Sequence, residues 1–224
     1  MKDQVAGIDY RFNDPQLLQA ALTHRSAGSR NYERLEFLGD SVLNLVVSAR
    51  LYELEPGASE GDLSRMRARL VRGSMLAEVA AGIGLGKQIR LGEGELKSGG
   101  FRRTSILADA FEALLGAIYL DGGFDACKTV ILEYFDPLIA KLPAAEQLKD
   151  PKTRLQEWLQ GRGRPLPDYV LLREEGADHA KNFHVSCRIS DKGTLAEASG
   201  ASRRKAEQAA AEKALVVLRG EGAA

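Results

Sequence analysis

Three carboxylates recur at helical spacing in the segment Asn31-Tyr32-Glu33-Arg34-Leu35-Glu36-Phe37-Leu38-Gly39-Asp40-Ser41. Positions 33, 36 and 40 are three and four residues apart, so a helix puts all three on one face. Like charges at that spacing destabilise a helix by about 0.2–0.5 kcal/mol a pair. Leu35, Phe37, Leu38 and Val42 surround them, so the face is expected to be partly buried. Clustered charges there are costly unless something positive neutralises them. A second acidic pair, Asp109 and Glu112, sits at i,i+3 in a segment otherwise built of Ala, Leu and Phe. That breaks a local rule without visible compensation, which marks a functional site. If the two helices pack together, five carboxylates face one another. Oxygen-only ligands select a hard cation such as Mg²⁺ or Mn²⁺. Zinc is disfavoured, because His24, His179 and His184 have no ligand spacing with Cys127 and Cys187. Two metals a few ångströms apart in such a cage suit in-line phosphoryl displacement. The competing arrangement pairs Glu33, Glu36 and Asp40 with Arg34, Arg65, Arg67 or Arg69. A di-iron helical bundle needs Glu-x-x-His pairs, and the chain has none.

A second broken rule lies near the C-terminus. Ser202-Arg203-Arg204-Lys205 opens an Ala-rich helix, with Ser202 as the expected N-cap. Three cations in a first turn oppose the helix dipole. They make sense where a phosphate docks on the free N–H groups and the cations together. A solvated turn eased by Glu207 and Glu212 is the alternative. Single-strand binders stack bases on aromatic side chains. Here Trp158 and Phe183 sit at periodic positions that suit a core. Duplex RNA needs no stacking and is read by shape, through phosphates and 2′-hydroxyls. Gly82-Ile83-Gly84-Leu85-Gly86-Lys87 is neither a dinucleotide fingerprint nor a Walker A, since Gln88 stands where Ser or Thr is required. It reads as a helix end and a turn. Lys97-Ser98-Gly99-Gly100-Phe101-Arg102-Arg103 reads as a basic loop that contacts RNA backbone or caps the next helix through Thr104 or Ser105.

The elements that must position these residues follow from periodicity. Val42 to Val47, Leu63 to Val71 and Leu107 to Ile118 show helical spacing, and no long alternating strand pattern occurs before residue 145. An all-α domain over residues 1–145 accounts for this. Pro143 and Pro151 bracket a linker over 146–151. Beyond it, Thr153–Leu159 reads as a short helix, 168–173 and 182–189 as strands, 194–199 as a third strand after the turn Asp191-Lys192-Gly193, and 202–218 as a helix. Residues 152–221 thus form an α-β-β-β-α, α+β domain near the lower end of independent size.

Composition sets the outer bounds. The 224 residues carry 31 basic and 31 acidic groups, with 44% hydrophobic residues, an ordinary globular balance. The longest apolar stretch, Ala113–Leu120, is far below the roughly 18 residues of a membrane span. The N-terminus shows no signal-peptide pattern, and two cysteines make no disulfide framework. A cytoplasmic protein without a membrane partner is expected. Residues 1–145 carry a net charge of −2 and residues 146–224 a net +2, too small a difference to decide a partner.

The run Glu33-Arg34-Leu35-Glu36-Phe37-Leu38-Gly39-Asp40-Ser41 resembles the signature of the ribonuclease III family, and Asp109-x-x-Glu112 is similar to that family's second acidic pair. The C-terminal part resembles a double-stranded-RNA-binding domain in Gln156-Glu157, Gly176-Ala177-Asp178-His179 and Ser202-Arg203-Arg204-Lys205-Ala206. The order of domains is similar to the short bacterial enzymes and covers nearly the whole chain. The resemblance implies a ribonuclease III endonuclease fold and a Mg²⁺-dependent endoribonuclease acting on double-stranded RNA. It implies Glu36, Asp40, Asp109 and Glu112 as metal ligands, with Asp40 and Glu112 catalytic and Glu33 an auxiliary acid. It also implies a homodimer with two catalytic centres and two Mg²⁺ per centre, Mn²⁺ being able to substitute. Products with 5′-phosphate and 3′-hydroxyl ends and a short 3′ overhang follow, with ribosomal precursor stems as substrates. Gln156, Glu157 and His179 are expected at minor-groove hydroxyls and Arg203, Arg204 and Lys205 at phosphates, with Thr153 and Ser202 in the same RNA-binding set. Arginines at 203 and 204 stand where the family commonly has lysine, and Ala198 where it commonly has glycine. With two divalent ions bound, each chain gains about four positive charges, so zero net charge is no argument against an RNA partner.

Overall fold

The computed structural model describes residues 4, 5, 7–177 and 180–221. The chain divides into two compact units, Met1–Ala145 and Glu146–Ala224.

Unit one is helical. It contains α1 (Pro15–Ala21), α2 (Glu33–Leu54), α3 (Glu60–Leu70), α4 (Gly73–Gly82), α5 (Glu93–Lys97) and α6 (Thr104–Ile139). Local chemistry explains several starts. The Asp14 carboxylate accepts from the Gln16 N–H ahead of Pro15, and the Ser59 hydroxyl accepts from the Asp62 N–H at the head of α3. α2 and α6 supply the centre of the core. Leu35, Leu43, Val47 and Leu51 of one bury against a second apolar set that includes Phe111, Leu114, Leu115 and Ile118 of the other. The two backbones touch at a pair of glycines. A Cβ on Gly39 would overlap the carbonyl oxygen of Glu112, and one on Gly116 would overlap that of Leu35. This crossing places residues 36 and 40 beside residues 109 and 112.

α6 runs further than the 107–118 periodicity predicts, because it continues through a kink at Gly123, whose φ of +81° suits glycine. Just before the kink, the Asp121 carboxylate accepts from the Tyr10 hydroxyl (2.7 Å) and from the N–H groups of Asn13 and Asp14 (2.8 Å each). The N-terminal segment is thereby pinned to α6. The expected cap of α6 differs. Arg103 occupies the cap position without a side-chain cap bond, and Thr104 is already helical. The Arg103 guanidinium instead pairs with Glu95 at 2.8 Å. The 97–103 loop is itself partly helical, holding the end of α5 and a 3₁₀ turn at Gly100–Arg102. The 82–87 segment is a helix end followed by a 3₁₀ turn, with Gly84 left-handed at φ +69°.

α7 (Ala145–Leu148) makes one turn inside the segment expected to be an irregular linker. α8 (Pro151–Gln160) then starts two residues before Thr153, since Pro suits the first turn and Asp150 caps it by accepting from the Lys152 N–H. In unit two, β1 (Asp168–Glu175), β2 (Asn182–Ile189) and β3 (Gly193–Gly200) form one antiparallel sheet in the order β1-β2-β3, followed by α9 (Arg203–Glu221). The core joins Leu155 and Leu159 of α8, Cys187 and Ile189 of β2, Ala196 and Ala198 of β3, and Ala210, Ala214, Leu215 and Leu218 of α9. The alternation along β2 holds for Val185, Cys187 and Ile189. Ser186, on the opposite face, is also buried, with its hydroxyl accepting from Arg188 Nε at 2.9 Å.

Candidate functional site

α2 delivers Glu36 and Asp40 to the glycine crossing, and α6 delivers Asp109 and Glu112. One carboxylate oxygen from each of Glu36, Asp109 and Glu112 lies within 4.8 Å of the other two. Asp40 stands beside this trio. Its carboxylate accepts from Asn44 Nδ2 at 2.7 Å, and the same amide donates to the Asp40 carbonyl at 2.9 Å. Glu33 lies outside the cluster, 3.6 Å from Arg25 Nη1 and half exposed. So three of the five acids converge, one flanks them and one forms the rim.

The electrostatics match that placement. Burial, followed by repulsion from Asp40, Glu36 and Asp109, pushes the Glu112 carboxyl up to about 8. Burial, with Asp109, Glu33 and Asp40, also raises Glu36, against the pull of Arg25. Burial raises Asp109, against the pull of His24, its own backbone N–H and Arg25. The ion-pair alternative is not what forms. Arg65 pairs with Asp62 at 2.7 Å and Arg67 donates to the Ser48 hydroxyl at 3.0 Å. Among the described residues, no lysine or arginine pairs with Glu36, Asp40, Asp109 or Glu112. The donors are all oxygen and jointly short of positive charge, which fits a hard divalent cation. A polar cleft of about 270 Å³ opens beside the trio, walled by His24, Arg25, Tyr32, Glu33, Glu95 and Arg103 as well as Glu36 and Asp109.

In unit two, Thr153, Gln156 and Glu157 share one exposed face of α8, at i, i+3 and i+4. Glu157 also accepts from Lys149 Nζ at 2.7 Å. The Ser202 hydroxyl accepts from the Lys205 N–H at 3.2 Å, as an N-cap does. Arg203, Arg204 and Lys205 are exposed on the first turn of α9. Arg203 Nε donates to Glu207 at 2.9 Å, and Glu207 also takes Lys152 Nζ at 2.7 Å. Arg204 reaches to 4.0 Å from Asp150. His179 lies outside the described residues.

Sequence reasoning missed three parts of this arrangement. Gly116 carries no signal until Gly39 is known to face it. Asn44 stands at i+4 from Asp40 and was legible as a helix neighbour. His24 gave no signal beyond its failure as a zinc ligand.

The chain matches the Ribonuclease-III-like family over residues 14–138 and the Double-stranded RNA binding motif over residues 151–218. The chain belongs to the ribonuclease III family. Within that family it is 55% identical to "Ribonuclease 3" of Alkalilimnicola ehrlichii over 208 residues, covering 93% of this chain and 91% of that one. It is 50% identical to "Ribonuclease 3" of Vibrio cholerae over 218 residues, covering 97% of each. Unit one is similar to a crystal structure of the nuclease domain of ribonuclease III from Campylobacter jejuni, with TM-score 0.57 and 44% identity over 60% of this chain and 92% of that one. A second structure of that domain, described for flexibility in a region involved in dimer formation, gives TM-score 0.56 and 46% identity over 57% and 90%. The chain is therefore an endoribonuclease, a hydrolase, with a helical nuclease domain and an α-β-β-β-α RNA-binding domain. Among the described residues, no helix is long and apolar enough to cross a membrane.

Proposed function

We propose that this protein cleaves double-stranded RNA in a Mg²⁺-dependent hydrolysis, with Mn²⁺ able to substitute. The reading includes 5′-phosphate and 3′-hydroxyl ends, a short 3′ overhang, two metals per centre, and ribosomal precursors and other structured transcripts as cytoplasmic substrates. The observation that carries it is the convergence of Glu36, Asp109 and Glu112 without a pairing cation. Bound there, Mg²⁺ would supply positive charge that acidifies a water and stabilises the charge developing on the scissile phosphate. Glu36, Asp109 and Glu112 would hold the metal, with Asp40 as the fourth candidate ligand. Glu112 and Asp40 form the catalytic pair: the Glu112 carboxyl would have to lose its proton for a cation to bind, and Asp40, fixed by Asn44, would ligate the metal or orient the attacking water. Glu33 assists from the rim.

Gln156, Glu157 and His179 read the minor groove, and Arg203, Arg204 and Lys205 hold phosphates across the intervening groove, with Thr153 and Ser202 in the same RNA-binding set. The match to the double-stranded RNA binding motif over residues 151–218 supports duplex RNA as the ligand of this domain. The protein works as a homodimer. In support, α2 leaves Phe37, Leu45 and Tyr52 exposed, Phe37 at 78% and Tyr52 at 74%, an unusual set of large apolar groups for a helix facing only water. Incubation of the purified chain with long duplex RNA tests the function. Cleavage that appears with Mg²⁺ and vanishes with a chelator is expected; no metal-dependent cleavage would overturn it.

A further inference from the structure

The clustered apolar core of unit two draws on α8 from Leu155 onward and on α9 from Ala209 onward. Ahead of those residues, polar side chains join the two helix tips. Glu207 of α9 is the hub. Its carboxylate takes Lys152 Nζ of α8 on one oxygen at 2.7 Å and Arg203 Nε on the other at 2.9 Å. The Glu207 side chain is only 13% exposed. Despite burial, the hydrogen bonds from Lys152 and Arg203 hold its carboxyl below the usual range. Lys152 is held from a second direction, its ammonium lying 4.4 Å from the centre of the Tyr169 ring on β1. Another bridge runs the opposite way between the tips. Asp150, which caps α8 through the Lys152 N–H at 2.9 Å, also accepts from Gln208 Nε2 of α9.

These tips adjoin the side chains assigned to RNA. Gln156 and Glu157 follow Lys152 by about one turn of α8, and Arg203, Arg204 and Lys205 form the first turn of α9. One set reads a minor groove and the other meets phosphates across the neighbouring groove, so the two sets must keep a fixed spacing. A largely buried carboxylate shared by both helices holds that spacing more firmly than exposed ion pairs do. Its bond to Arg203 uses Nε, and a guanidinium bonded there keeps its two terminal amino groups for a phosphate.

We propose that Glu207 is a positioning residue for duplex RNA: its bridge to Lys152 sets the spacing between the groove-reading face of α8 and the phosphate-binding turn of α9. The inference rests on reading those two faces as the RNA contacts. Glu207 also competes with phosphate for Arg203, but that exposed, salt-screened pair weighs less than the spacing. The two effects have opposite signs. Removing a carboxylate beside the bound polyanion tightens binding by charge alone, whereas losing the spacing weakens it.

Glu207→Gln, Lys152→Gln, the double variant and Lys152→Arg are compared with the parent protein as full chains. Duplex-RNA affinity is read by filter binding without metal, well below the melting temperature of each protein, which is recorded alongside. Glu207→Gln is expected to weaken duplex binding about fivefold despite the lost negative charge. Lys152→Gln is expected to weaken it to a similar degree, and the double variant no further, since the bridge is lost only once. Lys152→Arg keeps a cation for Glu207 and is expected to bind within about twofold of the parent protein. Unchanged or tighter binding by Glu207→Gln overturns the inference. So do losses that multiply in the double variant, a loss in Lys152→Arg as large as in Lys152→Gln, or losses matched by the unfolded fraction at the assay temperature. If the parent protein binds no duplex, or changing Arg203, Arg204 and Lys205 to Ala leaves binding unchanged, the reading of the RNA-contacting faces fails first and this inference falls with it.

Discussion

At Glu112, burial and three neighbouring carboxylates all favour the protonated form, raising the carboxyl from 4.5 to about 8. The consequence for stability has a definite sign. Between those values the metal-free native state holds a proton that the unfolded chain has released, so stability falls as pH rises through that window. A divalent cation must displace the same proton, so its affinity rises with pH up to about 8. The melting-temperature gain on adding Mg²⁺ is therefore expected to be larger at about pH 8.5 than at about pH 6. Thermal denaturation with and without Mg²⁺ at the two pH values checks this; a gain that shrinks with rising pH contradicts it. Asp121 shows the opposite balance. Its carboxylate collects the Tyr10 hydroxyl and the Asn13 and Asp14 N–H groups, which hold it below the usual range despite burial. That acid is a structural pin, whereas among the described residues no lysine or arginine pairs with Glu36, Asp109 or Glu112 at the glycine crossing.

At the scale of elements, the site is a property of how α2 meets α6. Gly39 and Gly116 let the two backbones touch, and the four acids flank that point. Gly39→Ala forces a methyl into the Glu112 carbonyl, and Gly116→Ala does the same at Leu35. Each is expected to destabilise unit one by about 1–3 kcal/mol or more, as overpacking does, and to weaken metal binding together with stability. Denaturant unfolding and Mg²⁺ titration of the two variants are the measurements; stability within a few tenths of the parent protein would contradict the crossing as drawn. The spacing 33, 36, 40 and the pair 109, 112 were legible because a helix repeats every 3.6 residues. The strands 182–189 and 193–200 were legible through a two-residue alternation and the Lys192-Gly193 turn. The crossing itself was not, because it joins residues far apart in the chain through atoms that glycine lacks. The extension of α6 was hidden because the apolar periodicity is read only to Ile118, although the chain resumes its helix after Gly123, whose φ is positive. The missing side-chain cap at Thr104 was hidden because Arg103 is drawn away by Glu95, a tertiary contact.

For the whole molecule, a neutral chain must still bind a polyanion. Acidic groups are gathered at the α2–α6 crossing, where a bound metal would neutralise them, and Arg203, Arg204 and Lys205 are exposed on the first turn of α9. Two of those cations already lean on Glu207 and Asp150, so phosphate binding competes with internal pairs of modest, salt-screened strength. Changing Arg203, Arg204 and Lys205 together to Ala is expected to weaken duplex binding and flatten its salt dependence, by about 0.9 in log–log slope for each phosphate left without its cation. Filter binding across a salt series reads the slope, and an unchanged slope contradicts the phosphate role. The central claim is that a metal held by Glu36, Asp109 and Glu112 enables strand cleavage, separately from RNA binding. Glu112→Gln keeps the size of the side chain and removes its charge. Single-turnover cleavage of long duplex RNA in Mg²⁺ and duplex binding should be measured on this variant in parallel. The account predicts near-complete loss of cleavage with duplex affinity unchanged, whereas cleavage at the parent rate would contradict it.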